Sequence, residues 1–208
     1  AATVLFFAYN GLVIGVWAGS IPSLRERVGM DSSGVALLLV VTGLAAIGSM
    51  QVGGRVTDRH GSRPVAVTTV AILAAGILTV GLAPTFPALL AAGVVLGLGN
   101  GGLDVAMNAL GVHVEKTRPR PIMSFFHGMW SVGNLSGALL VLVAATLAGA
   151  SGRPWVVLAA ATLAAVTGVA VVLAVLRLTP STPRVEHVDA DGVRTPIPAS
   201  AFLLGLMA

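Results

Sequence analysis

Forty consecutive residues, Pro64 to Leu103, contain no Asp, Glu, Lys or Arg. An ordinary soluble domain carries about 25% charged residues, so a run of this length has no place on a water-facing surface. It is also about twice the roughly 20 residues that an α-helix needs to cross a bilayer. In lipid every backbone polar group must be satisfied within its own segment, so the run is predicted to form two membrane helices. Pro84-Thr85-Phe86-Pro87 supplies the turn between them. Charge-free stretches elsewhere predict spans at Ala1 to Leu24, Ser32 to Gly54, Pro121 to Gly152 and Pro154 to Leu176. The expected fold is therefore an all-α membrane protein, with a six-helix transmembrane bundle over residues 1–176. Residues 177–200, broken by charge and proline, read as a cytoplasmic linker, and 201–208 as the truncated start of a seventh span.

Charge gives the orientation. The connections after spans two, four and six hold nine basic residues (Arg55, Arg59, Arg63, Lys116, Arg118, Arg120, Arg177, Arg184 and Arg194), and the opposite face holds three (Arg25, Arg27 and Arg153). Cytoplasmic loops carry such an excess, so both ends of the segment are expected on the cytoplasmic side of a bacterial plasma membrane. The basic residues are scattered singly between apolar spans rather than gathered on one face, which argues against a nucleic-acid partner. The first span lacks a basic leader and is too long for a cleavable signal peptide, and the absence of an initiator Met suggests a fragment. The chain has no Cys, which excludes thiolate catalysis, a disulfide framework and any Cys-bearing metal site. No metal site and no cofactor is implied.

The informative residues are the polar ones inside apolar spans. Asn100, Asp104 and Asn108 recur every four residues on span four, and at about 3.6 residues per turn they share one narrow stripe. A carboxylate at mid-membrane costs about 2.5–3.5 kcal/mol on insertion scales, so Asp104 is expected to face a cavity or a partner, not lipid. On span five, Ser124, His127, Ser131 and Asn134 follow helical spacing, and an imidazole can accept and release a proton near neutrality. Asn10 stands beside a glycine row on span one. Gly11, Gly15 and Gly19, then Gly93, Gly97 and Gly101, then Gly133 and Gly137 form small-xxx-small repeats that let helices approach closely. Trp17 and Trp130 are candidates for stacking on a ligand or for the interfacial belt, and Trp155 for the belt.

The connection between spans two and three reads Gly54-Arg55-Val56-Thr57-Asp58-Arg59-His60-Gly61-Ser62-Arg63. It resembles the G-x-x-x-D-[RK]-x-G-x-[RK] signature of the major facilitator superfamily, at the cytoplasmic place where that family carries it. Its glycines suit tight helix approach and a sharp turn, and Asp58 suits helix N-terminal amides or a nearby Arg. The resemblance implies the N-terminal half of a fold in which two six-helix halves, each built from two inverted three-helix repeats, rock around a central site. It implies a gating role for Gly54, Asp58, Arg59, Gly61 and Arg63, and a missing C-terminal half as partner. Two departures stand out: span five lacks the Gly-Pro-rich motif of drug antiporters, and Gly93 falls where many members carry an Arg. Leu103-Asp104-Val105-Ala106-Met107-Asn108, with His127, Ser131 and Gly133, is similar to the fourth and fifth helices of fucose-permease-like proton symporters. The first helix departs from that branch at Ala18, which leaves Asp104 as the candidate coupling group.

Together these features predict a secondary transporter, not an enzyme, that takes up a small polar solute with protons. Asp104, Asn100, Asn108, His127, Ser131, Asn134 and Asn10 are the expected solute and proton contacts. A proton-driven exporter of the same fold, or a non-transporting receptor or scaffold, would share most of these features. A membrane enzyme would need a nucleophile with its base, or a metal cluster, and neither pattern is present in the sequence.

Overall fold

A computed structural model describes residues 2–178, the side chains of 150–154 excepted. Among the described residues, six helices are long and apolar enough to span a bilayer: α1 Ala2–Val28, α2 Ser32–His60, α3 Ser62–Leu82, α4 Phe86–Lys116, α5 Met123–Gly149 and α6 Trp155–Arg177. The predicted linker beyond Leu178 and the start of a seventh span lie outside the described residues.

The helices run past the charge-free windows, because intrahelical hydrogen bonding continues wherever charged side chains reach water. α1 takes in Arg25, Glu26 and Arg27, α2 takes in Arg55 to His60, and α4 continues to Lys116. The predicted Pro84–Pro87 turn is tighter than its four residues. Thr85 caps α4 by accepting from the Ala88 N–H, and Pro87 falls in the first helical turn, where a missing N–H leaves nothing unpaired. Between α5 and α6 the helical backbone is interrupted at Gly149, whose φ of 65° lies in the left-handed region. The break expected at Gly152–Pro154 thus sits three residues earlier.

Packing is crosswise. α1 lies along α5, α4 lies along α2, and α3 joins α4 to α6, the pairing that two three-helix repeats of opposite orientation produce. Glycines make the close approaches possible. A Cβ at Gly11 would overlap the Trp130 carbonyl, one at Gly15 the Asn134 carbonyl, one at Gly133 the Ala8 carbonyl, and one at Gly137 the Leu12 carbonyl. The core is continuous, with Phe6, Phe7, Tyr9, Val13 and Val16 of α1 packed into a cluster that includes Leu73 and Ile77 of α3 and Leu96 and Leu103 of α4.

Candidate functional site

α1 packs on both α5 and α4, which scarcely touch one another, so that α1 backs the opening left between them, a cleft with α4 and α5 on either side. At its centre the Asn10 side chain is 2% exposed and both ends of its amide are engaged. The Trp130 indole N–H donates to Asn10 Oδ1 at 2.7 Å, and Asn10 Nδ2 donates to Asn100 Oδ1 at 2.9 Å. A buried amide without partners is costly, and this chain satisfies it by joining three helices. Trp130 is half-buried and turned inward, whereas Trp155 is 72% exposed as a belt residue would be. The partnership of Trp130 with Asn10 was not foreseeable from spacing, since it joins residues 120 positions apart.

One and two turns further along α4 from Asn100 lie Asp104 and Asn108, both half-buried. Asn108 Nδ2 donates to the Asp104 backbone carbonyl at 2.8 Å and to its Oδ1 at 3.3 Å. The stripe expected on α4 divides in two, with Asn100 engaged by Asn10 of α1 and Asn108 bonded to Asp104 one turn back. No Lys or Arg pairs with Asp104 among the described residues. The His127 imidazole lies within electrostatic reach of the carboxylate. His127 is exposed on the cleft side of α5, and its ring packs edge-on to Phe7 at 5.3 Å between centroids. Phe7 in turn stacks on Phe126 at 5.4 Å.

The rest of the predicted α5 stripe contributes less. Ser131 is exposed and its hydroxyl donates to the His127 carbonyl one turn back, at 3.1 Å. Asn134 meets α1 through its backbone, against Gly11 and Gly15. Missed altogether was Glu115, whose Oε2 accepts from the Ile122 and Met123 N–H groups at 2.7 Å each and so caps the start of α5. In the sequence it looks like an ordinary charge at a helix end.

The predicted gating loop requires a correction, since it is not a loop. Gly54 to His60 belong to α2, Ser62 opens α3, and the whole connection is Gly61 with φ 87°. The sharp turn is thus present, but the tight helix approach is displaced by one residue. A Cβ on Gly54 would meet open space, while one on Gly53 would sit 3.4 Å from the Gly102 Cα of α4. Asp58 is exposed and accepts no helix N-terminal amide or arginine among the described residues. Arg63 instead reaches across to donate from Nη2 to the Val175 carbonyl of α6 at 3.4 Å.

Residues 3–207 match the family described as Major Facilitator Superfamily. The chain is 38% identical over 132 residues to an uncharacterised transporter of Sinorhizobium fredii, covering 64% of this chain and 35% of that protein. It is 35% identical over 137 residues to an uncharacterised MFS-type transporter of Yersinia pestis, covering 66% and 36%. It is 29% identical over 138 residues to the membrane protein MosC of Rhizobium meliloti, covering 66% and 34%. The chain thus spans about a third of the length of the curated relatives it matches. Their names specify no sugar and no branch, so the nearer likeness to fucose-permease-like symporters gains no support from them. Six crosswise-packed spanning helices and a match covering nearly the whole chain make it a member of the Major Facilitator Superfamily, of which it forms a six-helix half.

Proposed function

We propose that the full protein is a secondary active transporter that takes up a small polar solute with protons by alternating access, with Asp104 as the coupling group. The observation that carries this is a half-buried carboxylate in a spanning helix, partnered by the neutral Asn108 amide, with His127 across the cleft and no fixed cation among the described residues. Closing the cleft around an ionised Asp104 would strand a charge in low dielectric, which is strongly disfavoured. A mobile proton removes that charge, so protonation and closure become linked. Asn100, Asn108, His127, Ser131 and Asn134 supply polar contacts for a solute. The Gly54–Arg63 corner acts on the exchange between inward- and outward-open states, with both ends of this segment in the bacterial cytoplasm.

The test uses the full-length carrier in liposomes, after a thermal-shift screen has identified a stabilising metabolite. Asp104→Asn imitates the protonated side chain. It should still exchange labelled for unlabelled metabolite but lose accumulation driven by a pH gradient. Accumulation equal to the parent's would make Asp104 structural.

A further inference from the structure

The Trp130–Asn10–Asn100 chain has a direction. Trp130 Nε1 can only donate, so Asn10 must present its oxygen to α5 and its NH₂ to Asn100 on α4. Asn10 is 2% exposed and engaged at both ends, so a solute could reach it only by breaking the clasp. The indole, by contrast, is half-buried. It stands on α5 one turn from His127, with its single polar atom taken by Asn10. The partly exposed remainder of the side chain is flat aromatic carbon.

We propose that Trp130 is a solute-contact surface whose orientation is set by Asn10, which is a positioning residue and not a solute ligand. The solute then presents a flat apolar face to the indole and a polar edge to the Asp104–Asn108 and His127 side, as a ring-shaped polar molecule does. This rests on reading the cleft as the solute path. A rigid ring adds contact area at low entropic cost, and an indole fixed through its N–H cannot turn its edge to the solute. Asn10 therefore selects for shape without touching the solute.

Two measurements on the full-length carrier, with every tryptophan except Trp130 replaced by Phe, test this. In the first, the probe is acrylamide, a neutral quencher that enters aqueous clefts. Trp130 fluorescence should be quenched in the parent, and Asn10→Leu should shift the emission and change the quenching constant by about twofold, because the indole N–H loses its partner. If Asn10→Leu does not fold, Asn10→Ser, too short to span the gap, takes its place with the same expectation. An unquenched Trp130 in the parent, or emission indifferent to both Asn10 variants, overturns the proposal.

In the second measurement, pyranoses and aromatic amino acids are compared by thermal shift with open-chain polyols and amino acids of matching size. A ring compound should be the strongest stabiliser, and Trp130→Leu should weaken it by about tenfold, some 1.4 kcal/mol. An open-chain compound as the strongest stabiliser, or no shift from any ring compound, overturns the substrate class. The coupling role of Asp104 is read separately. Should Asp104→Asn uncouple transport while Trp130 stays beyond the reach of acrylamide, only the present proposal falls.

Discussion

The two crosswise seams of the bundle, α1 against α5 and α2 against α4, are built differently. In the first, glycines face backbone from both sides: Gly11 and Gly15 on α1, Gly133 and Gly137 on α5. In the second, the closest approaches come from α4 alone, where Gly93, Gly97 and Gly101 meet Thr42, Ala45 and Ala46 of α2. Burial follows the same division. Of the most apolar stretch of each helix, 56% is buried in α1 and 6% in α2. The polar clasp is anchored in the reciprocal seam, through Asn10 and Trp130. The clasp is thus set against the seam whose closest approaches are backbone on backbone, and the helix with the open face is the one that carries the signature corner.

The largest effect should come from filling the reciprocal seam. Gly133→Val would drive a branched side chain into the Ala8 carbonyl and the Leu12 backbone, and should abolish the monodisperse folded protein on size-exclusion chromatography. Gly43→Val, with nothing within 4 Å of its Cβ position, should change the melting temperature little, a surface-like effect within about 0.5 kcal/mol. If Gly43→Val proves as damaging, the open face of α2 is covered in the full protein, and the contrast belongs to this half alone.

An intermediate effect separates the seams more finely. Gly97→Ala meets the Thr42 carbonyl and the Ala45 Cβ, while Gly137→Ala meets the Leu12 carbonyl and the backbone of Gly15 and Val16. α2 can move outwards to relieve the first overlap, but α1 is held by the core on its other side. Overpacking usually costs about 1–3 kcal/mol. Gly97→Ala should lie at the low end and Gly137→Ala at or beyond the high end, read as melting temperatures in one detergent. Equal losses would mean that α2 is as firmly held as α1.

The smallest effect concerns how α2 begins. Asp31 caps it by accepting from the Gly34 N–H at 2.8 Å and from the Ser33 hydroxyl at 2.7 Å, and these bonds, the Gly34 one foremost, hold its carboxyl below the usual range. A folded value below the unfolded one means that the cap's stabilisation is complete above the ordinary Asp pKa of about 3.9 and is lost as pH falls through the folded value. Asp31→Ala should therefore melt slightly below the parent at neutral pH, with the gap closing in acid. A gap that persists unchanged in acid would show that the charged cap is not what matters there.

Much of this architecture was legible because a bilayer imposes one rule on every span. Charge-free runs located all six helices, and the four-residue spacing of Asn100, Asp104 and Asn108 placed them on one face. Helix ends were not legible in the same way, since the end of an apolar run marks the membrane boundary and not the last hydrogen bond. That is why Gly54 to His60, charged and bounded by Gly53 and Gly61, read as a loop although it continues α2. The glycine rows announced close packing but not the partner. Gly11 and Gly15 meet α5 only because the repeats cross, and that same crossing brings Trp130 to Asn10. Glu115 escaped notice because a cap on the following helix depends on how the 117–122 connection folds back, which no local pattern encodes.

The corner at Gly61 allows no slack. A residue of extended chain spans at most about 3.6 Å, so a single-residue connection ties the end of α2 to the start of α3 almost as a welded joint. A tilt of α2 is therefore passed as torque into α3, and through Arg63 to the end of α6. Six residues, 117–122, separate α4 from α5 at the same face, and there the coupling runs instead through one side chain, Glu115, which holds the first N–H groups of α5.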